Sequence, residues 1–267
     1  GTEHELVGVR AHGPAIGTAP AYDGPDGIGT VLAGFAARGW EPVEEGGHVI
    51  ALTRGADQIT IEPGGQLELA AQPWVDGHEL VAALAEYRAT LAEISRPLGL
   101  AWLSIGFRPF GGRADVPWMP KLRYDVMRAY MPTVGSRGLD MMLRTTTVQT
   151  NLDWSDEADA AAKLRCLMAV TPILTALYAA SPIVDGAVSG YQSYRAHVWR
   201  DTDNARAGQL RPATRSASTP ERNSPTTVRG APSASTSLLL ARPATPGGMP
   251  GAGFWPSSTT LSRGKPK

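Results

Sequence analysis

QITIEPGGQLELA, residues 58–70, alternates apolar and polar side chains, breaks at Pro63-Gly64-Gly65, and alternates again. Alternation is the period of a half-buried strand, and a Gly-rich break of this length marks a hairpin. With Pro63 to Gly65 as the loop, Glu62 faces Gln66 and Thr60 faces Glu68. Side chains on a strand repeat with period two, so Thr60, Glu62, Gln66 and Glu68 share one face. Ile59, Ile61, Leu67 and Leu69 form the other, the core side. Carboxylates on one face repel unless a cation or a basic partner lies between them. The hairpin is therefore a candidate metal platform, with a solvated sheet face as the plainer alternative.

Outward from the hairpin, clear elements continue to about residue 210. Strand-like segments are Thr2–Arg10, Glu41–Glu45, His48–Arg54, Ala101–Arg108 and Leu143–Asp153. Helical patterns run over Gly27–Arg38, Asp76–Arg96, Lys121–Met131, Ser155–Ala179 and Gly190–Asp201. Asp76 is a plausible N-cap with Glu79 three residues on, close to a capping box. Ser155 before Asp156 and Glu157 is a stronger start, with acids where the helix dipole favours them. Strands cluster as hairpins rather than strand–helix–strand units. This predicts an α+β fold, an antiparallel sheet with helices packed on one side.

A chain of 267 residues can bury a substantial core as one large domain or two small ones. Hydrophobic content of 42% with 19% charged residues is globular rather than disordered overall. No apolar run reads as long enough to cross a membrane, and GTEHELVGV is not a signal peptide. The chain begins inside a strand, so a preceding segment is expected. A net charge of zero gives no footprint for nucleic acid. The single cysteine, Cys166, excludes an internal disulfide and fits a reducing compartment, so a cytoplasmic protein is expected.

That neutrality conceals an asymmetry. Residues 211–267 hold eight Lys or Arg and one acid, Glu221, for a net +7, which leaves −7 on the rest. RPATRSASTPERNSPTTVRGAPSASTS has no periodicity and cannot bury enough apolar surface to offset the entropy of ordering. Residues 211–267 are thus a low-complexity basic tail, disordered or translated out of frame. The apolar patch Leu238–Ala241 and Phe254-Trp255 do not alter that expectation.

Three segments could carry chemistry. On the opening strand Glu3 and Glu5 share a face, which adds two carboxylates to Glu62 and Glu68 if the strands adjoin. Hard divalent cations, Mg²⁺ above all, take such oxygen ligands and leave positions open for phosphate. In LRTTTVQTNLDW, Thr145, Thr147, Gln149, Asn151 and Asp153 fall on one face and Arg144 on the other. A row of uncharged polar side chains suits a cup that hydrogen-bonds a small polar ligand, although exposed Thr-rich faces are common. GYQSYRAHVWRDTDNAR reads as an amphipathic helix bearing Arg195, and Arg is the side chain best matched to carboxylate or phosphate.

GTEHE, ITIEPGGQLEL, PKLRYDVMRAYMPTVGSRGLDMMLRTTTVQTNLDWSDEAD and SYRAHVWRDTDNAR occur in this order and cover nearly all of residues 1–210. Together they resemble the plant and proteobacterial type of glutamate–cysteine ligase. The resemblance implies an incomplete catalytic domain over residues 1–210, with a glutamine-synthetase-like sheet curved into a funnel. It implies ATP-dependent joining of the L-glutamate γ-carboxylate to L-cysteine through γ-glutamyl phosphate, the first step of glutathione synthesis. Glu3, Glu5, Glu62 and Glu68 match acidic motifs that would hold Mg²⁺–ATP. Arg144 and Arg195 are the candidate catalytic anchors for carboxylate or transferring phosphate, and Thr147, Gln149 and Asn151 would line the glutamate pocket. The implied partners are the small molecules L-glutamate, L-cysteine and ATP, with no nucleic acid and no membrane. The alternatives are a ligase with another amine acceptor, and a catalytically dead fragment that only binds ligand.

Overall fold

The computed structural model describes residues 1–207 and 236–240. In chain order come β1 (Thr2–Arg10), α1 (Ile28–Ala36), β2 (Glu41–Glu45), β3 (His48–Arg54), β4 (Asp57–Ile61) and β5 (Leu67–Ala71). Next are α2 (Gly77–Ser95), β6 (Leu100–Leu103), α3 (Leu122–Tyr130), α4 (Gly138–Arg144) and β7 (Val148–Leu152). Then follow α5 (Glu157–Leu177), β8 (Ile183–Val184), β9 (Ala187–Val188), α6 (Tyr194–Val198) and β10 (Thr236–Leu240).

β1 organises the sheet. Its first half lies between β5 and β7, both antiparallel to it, and its second half pairs with β6. The order runs β10-β7-β1-β5-β4-β3-β2, open at both ends among the described residues rather than closed into a barrel. All pairs are antiparallel except β7 with β10. The class is therefore mixed helix and antiparallel sheet. β8 and β9 form a separate hairpin.

The core follows from the alternation. Leu6 of β1, Ile59 and Ile61 of β4, and Leu67 and Leu69 of β5 pack with Ile28, Val31, Leu32 and Phe35 of α1 and Tyr87, Leu91 and Ile94 of α2. Each such aliphatic side chain contributes about 1.5–3 kcal/mol when fully buried, so this face is fixed against a one-residue slip. The opposite face of β1, β4 and β5 carries Glu3, Glu5, Thr60 and Glu68. α2 starts as its sequence predicts, with the Asp76 carboxylate accepting from the backbone N–H groups of His78 and Glu79.

Four expectations need correction. Residues 138–144 are helix, so the strand begins at Val148 rather than Leu143. Leu139 to Arg144 are mostly unbranched helix formers, and the β-branched run starts only at Thr145, where the helix stops. The sixth strand is also shorter than Ala101–Arg108, since Ser104 leads into an irregular segment. The expected helix over Gly190–Asp201 forms only at Tyr194–Val198, with a 3-10 turn to Asp201. Finally, α5 is long and apolar enough to cross a membrane by length and composition, contrary to the reading of the sequence. Its charges sit near its N-terminal half, which masked the apolar length. The tail expected over 211–267 lies outside the described residues, apart from β10, which pairs with β7 where no structure is expected.

Candidate functional site

The β4–β5 hairpin takes the predicted register, with Thr60 opposite Glu68 and Ile61 opposite Leu67. The Glu62 N–H donates to Gln66 O at 2.8 Å, and the Gly65 N–H closes the turn on Glu62 O at 2.9 Å. β1 then sets Glu5 directly opposite Glu68. The Thr60 hydroxyl lies 3.5 Å from Glu62 Oε1 and 3.4 Å from Glu68 Oε1, bridging the two acids of the hairpin. Glu3 and Glu68 are buried, whereas Glu5 and Glu62 are half-buried and form the open side of the cluster.

Electrostatics record the crowding. Burial pushes the Glu5 carboxyl up to about 8, reinforced by the charges of Glu62 and Glu3 and opposed by Arg195. Glu68 is raised well above the ordinary carboxylate range, first by burial, then by Glu62, Glu5 and Glu3. Glu3 and Glu62 are raised as well, again chiefly by burial. Each acid is shifted toward its neutral form chiefly by burial. Neighbouring carboxylates add to the shift at Glu3, Glu5 and Glu68, and Arg123 and Lys121 oppose it at Glu62.

Of the polar strand residues, Gln149 and Asn151 do share a face, but both reach a carboxylate. Gln149 Nε2 donates to Glu3 Oε2 at 2.8 Å, and Asn151 Nδ2 donates to Glu3 Oε1 at 3.1 Å. The Thr147 hydroxyl lies 3.2 Å from Val148 O, and the Thr147 carbonyl accepts from the Glu5 N–H at 3.0 Å. These residues thus line the acidic cluster, and Gln149 and Asn151 hold Glu3, one of its two buried members.

The two arginines separate. Arg195, buried on α6, faces Glu5, and burial brings its guanidinium down to about 10 against that carboxylate's pull. Arg144, the last residue of α4, is buried against the ring of Phe107 and paired with Asp140 and Asp185. Its orientation follows helix phase, which removes the conflict with the polar row of β7.

Further cations approach the acids from the start of α3 and the residue before it. Arg123 lies 3.5 Å from Glu62, and Lys121 is lowered by burial while feeling Glu62, Glu68 and Glu45. Both are anchored on the hairpin, because the Met119 N–H donates to Pro63 O at 3.0 Å and the Tyr124 hydroxyl donates to Ile61 O at 2.6 Å. Cations at the start of a helix oppose its dipole, and that misplacement in PKLRY is the signal that could have found them. Gln66 joins hairpin to helix, its Nε2 donating to Met142 O at 3.2 Å and to Thr145 O at 2.9 Å.

As a metal site the cluster is incomplete. Among the described residues no three His, Cys, Asp or Glu side chains are arranged to hold one ion. The donor chemistry nevertheless fits a hard cation, since the cluster offers only carboxylate oxygens and Glu68 Oε2 has no hydrogen-bond partner among the described residues.

The mixed sheet presents a carboxylate cluster flanked by Lys121, Arg123 and the buried Arg195. The chain belongs to Glutamate-cysteine ligase family 2 (GCS2), whose model matches residues 1–224. It is 46% identical over 211 residues to a chloroplastic glutamate–cysteine ligase of Nicotiana tabacum, covering 79% of this chain and 39% of that protein. Similar proteins include the Arabidopsis thaliana chloroplastic enzyme, at 45% over 79% of this chain and 39% of its own length. Another is the Oryza sativa subsp. japonica ligase A, at 43% over 79% and 42%. The chain thus spans about two-fifths of the length of the relatives it matches. The expected cytoplasmic location is corrected by these relatives, which are named chloroplastic.

Proposed function

We propose that this chain carries the nucleotide- and glutamate-handling part of a glutamate–cysteine ligase. The reaction is ATP-dependent joining of the L-glutamate γ-carboxylate to L-cysteine through γ-glutamyl phosphate, the first step of glutathione biosynthesis. The observation that carries this reading is Glu5 opposed to Glu68 within the field of Glu3 and Glu62, with Arg195 beside Glu5. The reading also takes the sheet as the wall of a glutamine-synthetase-like funnel, its acidic face inward.

Glu5, Glu62 and Glu68 would hold Mg²⁺–ATP, with Glu3 fixed behind them by Gln149 and Asn151. Mg²⁺ would supply charge neutralisation on phosphate oxygens. Arg195 places a buried positive charge next to that assembly, where negative charge builds on phosphoryl and acyl oxygens. Arg144, held by Asp140 and Asp185 at the end of α4, would anchor a carboxylate or phosphate apart from the acids. Thr147 would complete the polar wall of the glutamate pocket.

The test is ADP release with ATP, Mg²⁺ and L-glutamate across a panel of amines. Cysteine-dependent turnover supports the reading. Turnover only with another amine reassigns the acceptor, and binding of glutamate or ATP without turnover leaves a ligand-binding remnant. If Glu62→Ala leaves Mg²⁺–ATP affinity unchanged, the assignment of the acids to that ligand fails.

A further inference from the structure

Arg108 is 1% exposed, and none of its three guanidinium nitrogens has a hydrogen-bond partner among the described residues. A guanidinium presents five N–H donors and keeps its charge at any ordinary pH. Burial draws even this group down to about 10, with the nearby charge of Arg144 adding to the effect. Arg144 differs, because two of its nitrogens are held by Asp140 and Asp185. A buried charge without a partner is among the most costly features a fold can carry, so its retention calls for a countercharge.

The backbone aims this residue at the same region as the other arginines. The Arg108 N–H donates to Arg144 O at 2.7 Å, and Phe107 forms an antiparallel bridge with Thr145. A Cβ built on Gly106 would lie 3.6 Å from Arg195 Cβ, so residues 106–108 pass between α6 and the end of α4. Gln66 ties that same end of α4 to the acidic hairpin through Met142 and Thr145.

We propose that Arg108, flanked by Arg144, forms an oxyanion subsite for a carboxylate or phosphoryl group of a bound substrate. This rests on the ligase reading and adds to it a residue that neither the sequence motifs nor the acidic cluster reveals. An Arg fork matches both oxyanions in bidentate geometry, so the two sources share one chemistry.

Two variants of the full chain decide the matter. R108M keeps volume and removes the charge, and R108Q keeps N–H donors without charge. Melting temperature is measured without ligand, and affinity is measured for L-glutamate, for ATP with Mg²⁺ and for inorganic phosphate. The unliganded R108M protein should melt no lower than wild type, because an unpaired buried cation has been removed. Affinity for one class of probe should fall at least about 30-fold in both variants. A fall for L-glutamate alone assigns the carboxylate, and a fall for ATP and phosphate assigns the phosphoryl group. Variants that bind every probe as wild type does overturn the subsite and leave the ligase reading standing. A wild-type protein that binds none of the probes overturns both.

Discussion

Both oxygens of Glu3 are in use, one by Gln149 and one by Asn151. Glu3 is therefore a buried carboxylate fixed by amides, and Gln149→Ala separates that structural role from one as a direct ligand. Removing one donor from a buried acid costs about 1–3 kcal/mol. Urea denaturation should show a loss of that size, with the Mg²⁺–ATP affinity changing far less than in Glu62→Ala. An equal loss of affinity in the two variants would place Glu3 among the direct ligands instead. The opposed pair Glu5 and Glu68 is legible from sequence because a hairpin of fixed loop length sets its own register. Arg108 and Lys121 are not, because they sit on irregular backbone, which has no period to read. Nor is Arg123, on the first turn of α3, where helix period alone does not show which strand it faces.

At the scale of elements, the site depends on contact between the hairpin loop and α4. A Cβ on Gly64 would lie 2.1 Å from Leu143 O, so the loop packs on helix backbone with no room for a methyl group. Gly65 has φ 77°, a left-handed value that suits glycine in this turn. Gly64→Ala should destabilise by about 1–3 kcal/mol through overpacking and should move the acids away from the end of α4. Gly77→Ala is the control, since a Cβ at that position at the start of α2 meets nothing within 4 Å. It should be neutral or stabilise by up to about 1 kcal/mol, as measured by melting. Comparable losses in the two proteins would remove the special role of the close approach. Sequence locates the PGG break but cannot show what packs on it, because α4 hides behind a Thr run that reads as strand. The end of β6 is obscured similarly, since apolar residues continue into the irregular segment that bears Phe107 and Arg108.

For the whole molecule, the acidic face couples stability to pH in an unusual direction. Glu5 rises from 4.5 to about 8, and Glu3, Glu62 and Glu68 rise as well. A carboxyl that is raised on folding binds its proton more tightly in the folded state. Its contribution is complete below the unfolded value and is lost as pH climbs through the folded one. The ligand-free protein should therefore melt lower at pH 8 than at pH 6, the reverse of acids held by salt bridges. Ordered strands on both flanks keep the four acids together, so the effect belongs to the assembled sheet and not to the isolated hairpin. A bound divalent cation favours the ionised cluster, so Mg²⁺ should raise the melting temperature more at pH 8 than at pH 6. Near neutral pH its binding should also release protons, seen by calorimetry in two buffers of different ionisation enthalpy. Equal Mg²⁺ stabilisation at both pH values, with no proton release, would show that the ion binds elsewhere. The acids would then act only as a charged wall behind Arg195.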